Sequence, residues 1–428
     1  MRLLWQRPAR FERLTISPPT PLAESLKPGK LKIPAGLLWP LLGFIWLKTW
    51  TTLTPVCLIL FSGLKPHTAY PTQPQMLQAL QENLFGRFLL APWYRFDTVH
   101  YLEIAAGGYS NSTLAAWAPL YPLTISLLSG LGIQPMAAAL LISNLACLGF
   151  LILFYRLGCR FLDAGKARSA LLGLIFFPTS FFLLAGYTES LFLVFALLFF
   201  IFLFDKKWFW AGLVGAAASL TRFQGAALAL PAVWMVWQIG RAAPKNKKWR
   251  FFARADTPLW APALPVLALA GWLAWLYWGL HLPLPWEVLS SYWGQHSGFP
   301  WEGIIGNLTS LLGLRTIPNN PISLVAQFYD LSLIILSILL IVKSIRNFQD
   351  MPFALHLYLW VSLLTILIKV DDRWLLISAS RYLLTAFPLF YLFGQNVTRQ
   401  WAQLSWLAAG FLSQLLLLIC FYFWTWVG

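Results

Sequence analysis

Charge is scarce in this sequence. Asp, Glu, Lys and Arg together make up 11% of its 428 residues, whereas a soluble domain carries about a quarter. That excludes an ordinary water-soluble fold. Acid is scarcer than base, 15 residues against 31, for a formal charge of +16. In so apolar a chain the excess reports which loops stay in the cytoplasm, and no nucleic-acid partner is expected. Cysteine is nearly absent. Cys57, Cys147, Cys159 and Cys420 sit in or beside apolar runs, with neither metal-ligand spacing nor a disulfide framework. The common catalytic signatures are missing too: no phosphate-cradling Gly loop, no HExxH zinc site, no GxSxG elbow. No internal repeat is visible, which argues against a two-halved transporter. No apolar core lies close enough to the start for a signal peptide.

What is abundant is grease. Apolar residues make up 59%, with 24 Trp and 33 Phe, and they come in runs of membrane-spanning length. Spans are expected near 36–63, 136–156, 169–186, 188–204, 208–222, 224–240, 258–280, 328–343, 353–369, 382–396 and 404–426. The fold class is therefore an all-α polytopic membrane protein, a bundle of about 11 helices (range 9–13). Residues 1–35 read as a basic, disordered cytoplasmic tail, and 36–428 as a single transmembrane domain. The loops at 64–135 and 281–327 are the large ones, and the apolar piece 120–133 suits a short helix at the membrane interface. Lys48, inside the first span, should face the protein interior or snorkel.

With the N-terminus inside, the segments 1–35, 156–168, 205–207, 241–254, 343–352 and 397–403 hold 22 of the 31 Lys/Arg, against eight outside. That bias supports the orientation. The acids divide the other way, and both large loops fall outside, so chemistry is expected on the non-cytoplasmic side. The inner loops are too small for a cytosolic nucleotide-using domain. An enzyme of this design needs an activated substrate borne by the membrane.

The stretch Trp93-Tyr-Arg-Phe-Asp-Thr-Val-His-Tyr-Leu-Glu-Ile-Ala-Ala-Gly-Gly-Tyr109 places Asp97 at the head of a short helix. Thr98 to Ala106 contains no breaker, and Gly107-Gly108 is a stop signal. Helical spacing aligns Asp97, His100 and Tyr101 on one side. Two readings of Asp97 stand at this point: a helix cap or a catalytic acid. Glu189, in Tyr187-Thr-Glu-Ser190, is either part of another cap cluster with Thr188 or an ionisable residue at a span end that must find a partner or line a wet cavity. Arg222, in Ser219-Leu-Thr-Arg-Phe-Gln224, and Arg381, just after Lys369 to Arg373, are outer-side cations that run against the charge rule. Each calls for a paired acid or a bound anion. The loop Pro285–Glu302 is dense in aromatics and amides; Tyr292, Trp293, Gln295 and His296 suit either an interfacial belt or a sugar.

These pieces occur in a recognisable order. Phe96-Asp-Thr-Val-His-Tyr-Leu-Glu-Ile-Ala-Ala-Gly-Gly-Tyr109, Ala118-Pro-Leu-Tyr-Pro122, Tyr187-Thr-Glu-Ser190, Ser219-Leu-Thr-Arg222, Tyr292-Trp-Gly-Gln295 and Arg381-Tyr-Leu-Leu384 together resemble the PIG-V family of GPI mannosyltransferases and its bacterial relatives, over about residues 40 to 395. Where that family commonly has Trp before the Asp, this chain has Phe96. The resemblance implies a GT-C-like bundle whose first outer loop carries short interfacial helices and an essential acid. It implies an inverting glycosyltransferase, a mannosyltransferase, that takes its sugar from a polyprenyl- or dolichyl-phosphate donor. The acceptor would be a membrane lipid, a glycan or a protein.

On that basis Asp97 is the catalytic base, and Arg222 and Arg381 hold the donor phosphate. Glu189, His100 and Tyr187 serve the donor side, and Tyr292, Trp293, Gln295 and His296 line the acceptor or sugar loop. No cofactor is required; a divalent cation is allowed but not demanded, and no metal ligands are assigned. A bacterial plasma membrane is favoured over the endoplasmic reticulum, because the loops are lean and no retention tail ends the chain. The alternative is a polytopic lipid or solute transporter that makes no glycosidic bond.

Overall fold

The computed structural model describes residues 35–62, 74–242, 257–314, 321–372, 375–376 and 378–427. The basic tail expected at 1–35 lies outside these, apart from its last residue. So does most of the inner loop 241–254.

Long apolar runs must bury their own backbone polar groups, and a helix does this within one segment. The chain opens with α1 (Ala35–Phe61), followed by α2 (Pro74–Gln81), α3 (Asp97–Gly107), α4 (Leu120–Gly130), α5 (Pro135–Gly158) and α6 (Ala164–Ile175). Next come α7 (Glu189–Phe204), α8 (Trp208–Thr221), α9 (Ala229–Ala242), α10 (Trp260–Ala274), α11 (Pro285–Trp293) and α12 (Glu302–Leu311). The last are α13 (Pro321–Ser344), α14 (Phe353–Leu367), α15 (Ala379–Leu383), α16 (Pro388–Asn396) and α17 (Gln400–Tyr422). Among the described residues five helical stretches are long and apolar enough to cross a membrane: 36–61, 135–158, 260–279, 324–344 and 400–422. Shorter apolar helices at 120–130, 189–204, 208–221 and 353–367 join them. The protein is an all-α, multi-pass membrane protein. Large apolar side chains such as Phe61, Leu127, Trp278 and Leu412 cover its outer surface, as a lipid-facing surface requires.

Two expected spans are not continuous helices. The run 169–186 stops at Ile175, and the chain then turns through a 3-10 segment at Ser180–Leu183. Pro178 supplies no amide for a continuing helix. The carbonyls left open at this end are met from across the bundle: Gln414 Nε2 of α17 donates to Ile175 and Phe177 O at 2.6 and 2.7 Å. The run 382–396 is likewise split, between α15 and α16, with Pro388 at the head of the second piece. Residues 223–228 form a 3-10 turn before α9 rather than its first turn. Half-buried Lys48 sits on α1 within electrostatic reach of Cys147.

The core runs through α5, α7 and α16. Phe154 stacks on Tyr391 with centroids 4.4 Å apart, and the Tyr391 hydroxyl donates to Phe154 O at 2.8 Å. Segments assigned to the cytoplasmic side meet at one end. Arg160 Nη1 donates to Asp205 Oδ1 at 2.8 Å, and Lys343 Nζ to Asn396 O at 2.9 Å. The loop after α10 contributes an element that periodicity did not suggest. Strand β1 (Gln295–Ser297) pairs antiparallel with β2 (Lys369–Asp371), Gln295 opposite Asp371 and Ser297 opposite Lys369. It ties the aromatic loop to the end of α14.

Candidate active site

The site begins with a strained residue. Phe96 has φ +47°, a left-handed backbone that costs a bulky side chain roughly 1–3 kcal/mol. Its ring meets Phe421, Trp424 and Trp426 at centroid distances of 5.6, 5.3 and 4.9 Å. Each such pair contributes about 0.5–1.5 kcal/mol, enough to offset the strain. The turn is also held from beneath by Arg95, whose guanidinium donates to the carbonyls of Ala91, Tyr94 and Tyr422. Phe96, not Asp97, occupies the cap position of α3. Asp97 stands in the first helical turn, and its carboxylate accepts a hydrogen bond from the Arg381 guanidinium.

That bond starts a ladder of alternating charge. Arg381 Nη2 donates to Asp97 Oδ2 at 2.7 Å, and Arg381 Nε to Glu189 Oε1 at 2.7 Å. Arg222 Nη1 donates to the same Glu189 oxygen at 2.7 Å and to Thr188 Oγ1 at 2.8 Å. Thr188 caps α7 by position only; its hydroxyl is turned to Arg222 rather than to the helix amides. Burying isolated charges here would cost several kcal/mol each, and the alternation supplies the compensation. Glu189 is fully buried and Arg381 is 3% exposed at the side chain, while Asp97 keeps 20% open. The open member is the carboxylate.

Asp97, Arg222 and Arg381 line one cavity of about 560 Å³. One wall is cationic: the two arginines and Lys369, arranged around Tyr382. The same cavity has an aromatic part. His100 stacks on Trp117 with centroids 4.0 Å apart, and Trp293 meets Trp117 edge-on at 5.1 Å. Burial holds the His100 imidazole below its usual range, against the opposing pull of the Asp97 carboxylate. Tyr292 and Gln295 also line this space, and Tyr101 reaches Thr188 Oγ1 at 3.4 Å.

Three residues named from the sequence lie off the cavity wall. Glu189 sits behind it, bridging the arginines. Tyr187 is fully buried beneath Arg381, its ring centroid 4.8 Å from the guanidinium, and its hydroxyl donates to Arg95 O at 3.3 Å. His296 is exposed on β1, its Nδ1 3.6 Å from Asp372 Oδ1. The strand alternates its faces, and Gln295 takes the inward one.

Sequence reasoning missed Trp117, Lys369, Tyr382 and Trp426 as cavity residues. Lys369 and Tyr382 stood beside Arg381 in the outer-side cluster, and Trp117 precedes the Ala118-Pro-Leu-Tyr-Pro122 motif, so a signal existed for those three. Trp426 had none. It comes from the segment after α17, its Nε1 donates to Ser378 Oγ at 3.2 Å, and its ring lies 5.3 Å from the Arg381 guanidinium. Among the described residues no three His, Cys, Asp or Glu side chains gather as a metal-ligand group.

The family profile for mannosyltransferase (PIG-V) matches residues 45–228. This segment is PIG-V-like. GPI mannosyltransferase 2 of Schizosaccharomyces pombe (strain 972 / ATCC 24843) is 26% identical over 152 residues, covering 34% of this chain and 32% of that protein. The chain thus spans about a third of the length of the curated relative it matches. No solved structure gives a significant match. The PIG-V-like segment carries Asp97, His100, Glu189 and Arg222. Arg381, Lys369 and the Tyr292–Gln295 wall lie beyond it and complete the same cavity.

Proposed function

We propose that this protein is an inverting glycosyltransferase of the GT-C type that moves mannose from a polyprenyl-phosphate donor to an acceptor hydroxyl. The acceptor is a lipid, glycan or protein reached on the non-cytoplasmic side, with the N-terminus in the cytoplasm. The observation that carries this reading is a carboxylate and two guanidiniums lining one cavity together with aromatic rings suited to a sugar face. The PIG-V likeness supports the sugar class.

The chemistry follows from the groups present. The acceptor hydroxyl gives its proton to the Asp97 carboxylate as its oxygen attacks the anomeric carbon. The bond from that carbon to the phosphate oxygen breaks, and the phosphate leaves with the electron pair. Direct displacement inverts the anomeric centre, so a β-linked donor gives an α product. The leaving phosphate needs charge stabilisation rather than a proton. Arg222 and Arg381 meet it with the guanidinium nitrogens that the ladder does not use. Glu189 holds both arginines from behind, and the route requires no metal.

The test is reconstitution of the full chain in vesicles with polyprenyl-phosphate [³H]mannose and a glycolipid acceptor fraction. Label must move from donor to acceptor. Label that crosses between leaflets still attached to its donor lipid would make the protein a transporter.

A further inference from the structure

The charges around the cavity do not balance evenly. Arg381 is shared between Asp97 and Glu189, and Arg222 is held by Glu189, each at 2.7 Å. Two carboxylates therefore compensate two guanidiniums. Lys369, the third cation on this wall, has only a neutral partner: its ammonium donates to the Tyr382 hydroxyl at 3.0 Å and lies 4.5 Å from that ring's centroid. Among the described residues it forms no ion pair. Asp330 lies within electrostatic reach but makes no ion-pair contact with it, and its Oδ1 accepts from the Ser380 amide at 2.7 Å. A half-buried ammonium at a membrane-protein cavity without a directly paired counter-charge is costly unless an anion arrives.

The position is also convergent. The guanidiniums of Arg222 and Arg381 lie 5.3 and 5.6 Å from the same Tyr382 ring that Lys369 approaches. Three cations thus surround one phenol, and the least compensated of them is the lysine. An ammonium is a compact charge with three donors, and only one is spent on Tyr382.

We propose that Lys369 is the principal anchor for the phosphate of an isoprenoid monophosphate ester, in the donor and in the released product, with the Tyr382 hydroxyl orienting the ammonium. This rests on the glycosyl-transfer reading and adds to it the residue that binds the anion most directly. Because Lys369 opens β2, whose partner β1 carries Gln295, the same two strands fix the phosphate seat relative to the aromatic wall on which Trp293 stands.

The experiment measures binding to the full chain in nanodiscs, where no sugar need be transferred. The probes are polyprenyl phosphate, the matching polyprenol and inorganic phosphate. Lys369→Met should weaken polyprenyl phosphate by roughly ten- to a hundredfold, the scale of one charge-assisted hydrogen bond. It should leave polyprenol affinity unchanged, while Lys369→Arg restores most of the loss. If inorganic phosphate competes with the lipid in the wild type, the site recognises the phosphate group itself; if it does not, the isoprenoid is required as well, and either result fits an anchor. Unchanged polyprenyl phosphate affinity in Lys369→Met would overturn the proposal, and so would an equal loss for polyprenol. Should that variant fail to accumulate, Lys369→Gln is read in the same assay. A wild type that binds the lipid phosphate through Lys369 but transfers no sugar would sink the enzyme reading and leave this one standing.

Discussion

Glu189 and Asp97 are both acids on one ladder, yet they differ in what their loss should do. Glu189 is fully buried and takes both arginines on one oxygen. Neutralising it leaves Arg222 without its carboxylate and Arg381 with Asp97 alone, a defect worth about 3–5 kcal/mol. Glu189→Gln should therefore lower the unfolding midpoint in detergent by several degrees, and an unshifted midpoint would contradict the ladder. In the same cavity, burial holds the His100 imidazole below its usual range. Its folded value lies below the unfolded one of about 6.5, so the neutral imidazole favours the fold above that pH. Its contribution is lost as pH falls through the folded value. Stability measured from pH 7 down to 5 should drop less in His100→Asn than in the wild type; identical slopes would show that the imidazole does not titrate this way.

The shortest helix does much of the positioning. Residues 379–383 form α15, which carries Arg381 and follows Ser378 in a left-handed conformation at φ +63°. Five residues cannot hold a helix alone. The peptide at Ser380 is clamped from both sides: its N–H donates to Asp330 Oδ1 at 2.7 Å, and its carbonyl accepts from Thr179 Oγ1 at 3.0 Å. Asp330→Ala orphans that buried amide, at a cost of about 1–3 kcal/mol, and lets Arg381 drift from Asp97. Asp330→Asn keeps an acceptor. The account expects kcat to fall in the alanine variant and to recover in the asparagine one; equal loss in both would mean the charge, not the clamp, matters. This element also shows where sequence reading failed. A continuous apolar run at 382–396 reads as one span although Pro388 stands inside it, and neighbours in three dimensions hold the two pieces where it breaks. The run 169–186 broke for the same reason, its frayed carbonyls being taken by Gln414. By contrast α3 was legible almost to its ends, because a breaker-free run closed by Gly107-Gly108 is a local signal.

At the scale of the whole molecule, the cavity is assembled from segments far apart in sequence. Asp97, Arg222 and Arg381 were legible because an ionisable residue at the end of an apolar run needs a partner wherever that partner lies. Their mutual geometry was not, since pairing across 284 positions leaves no local trace. Nor did spacing reveal the strand pair that joins the segment of Lys369 to that of Gln295, or the return of Trp426 over Arg381. That His296 is exposed while Gln295 lines the cavity was not legible, because an amide- and aromatic-rich loop does not say which side chain turns inward. What unites these pieces is one partly open carboxylate, and the most direct test is the rate of sugar transfer by Asp97→Asn against wild type in the same vesicles. The asparagine can still accept from Arg381, so the protein should accumulate and unfold near the wild-type midpoint. It cannot take the acceptor's proton, and transfer should fall by about 10²–10⁴-fold. Turnover within a few-fold of wild type would contradict the account.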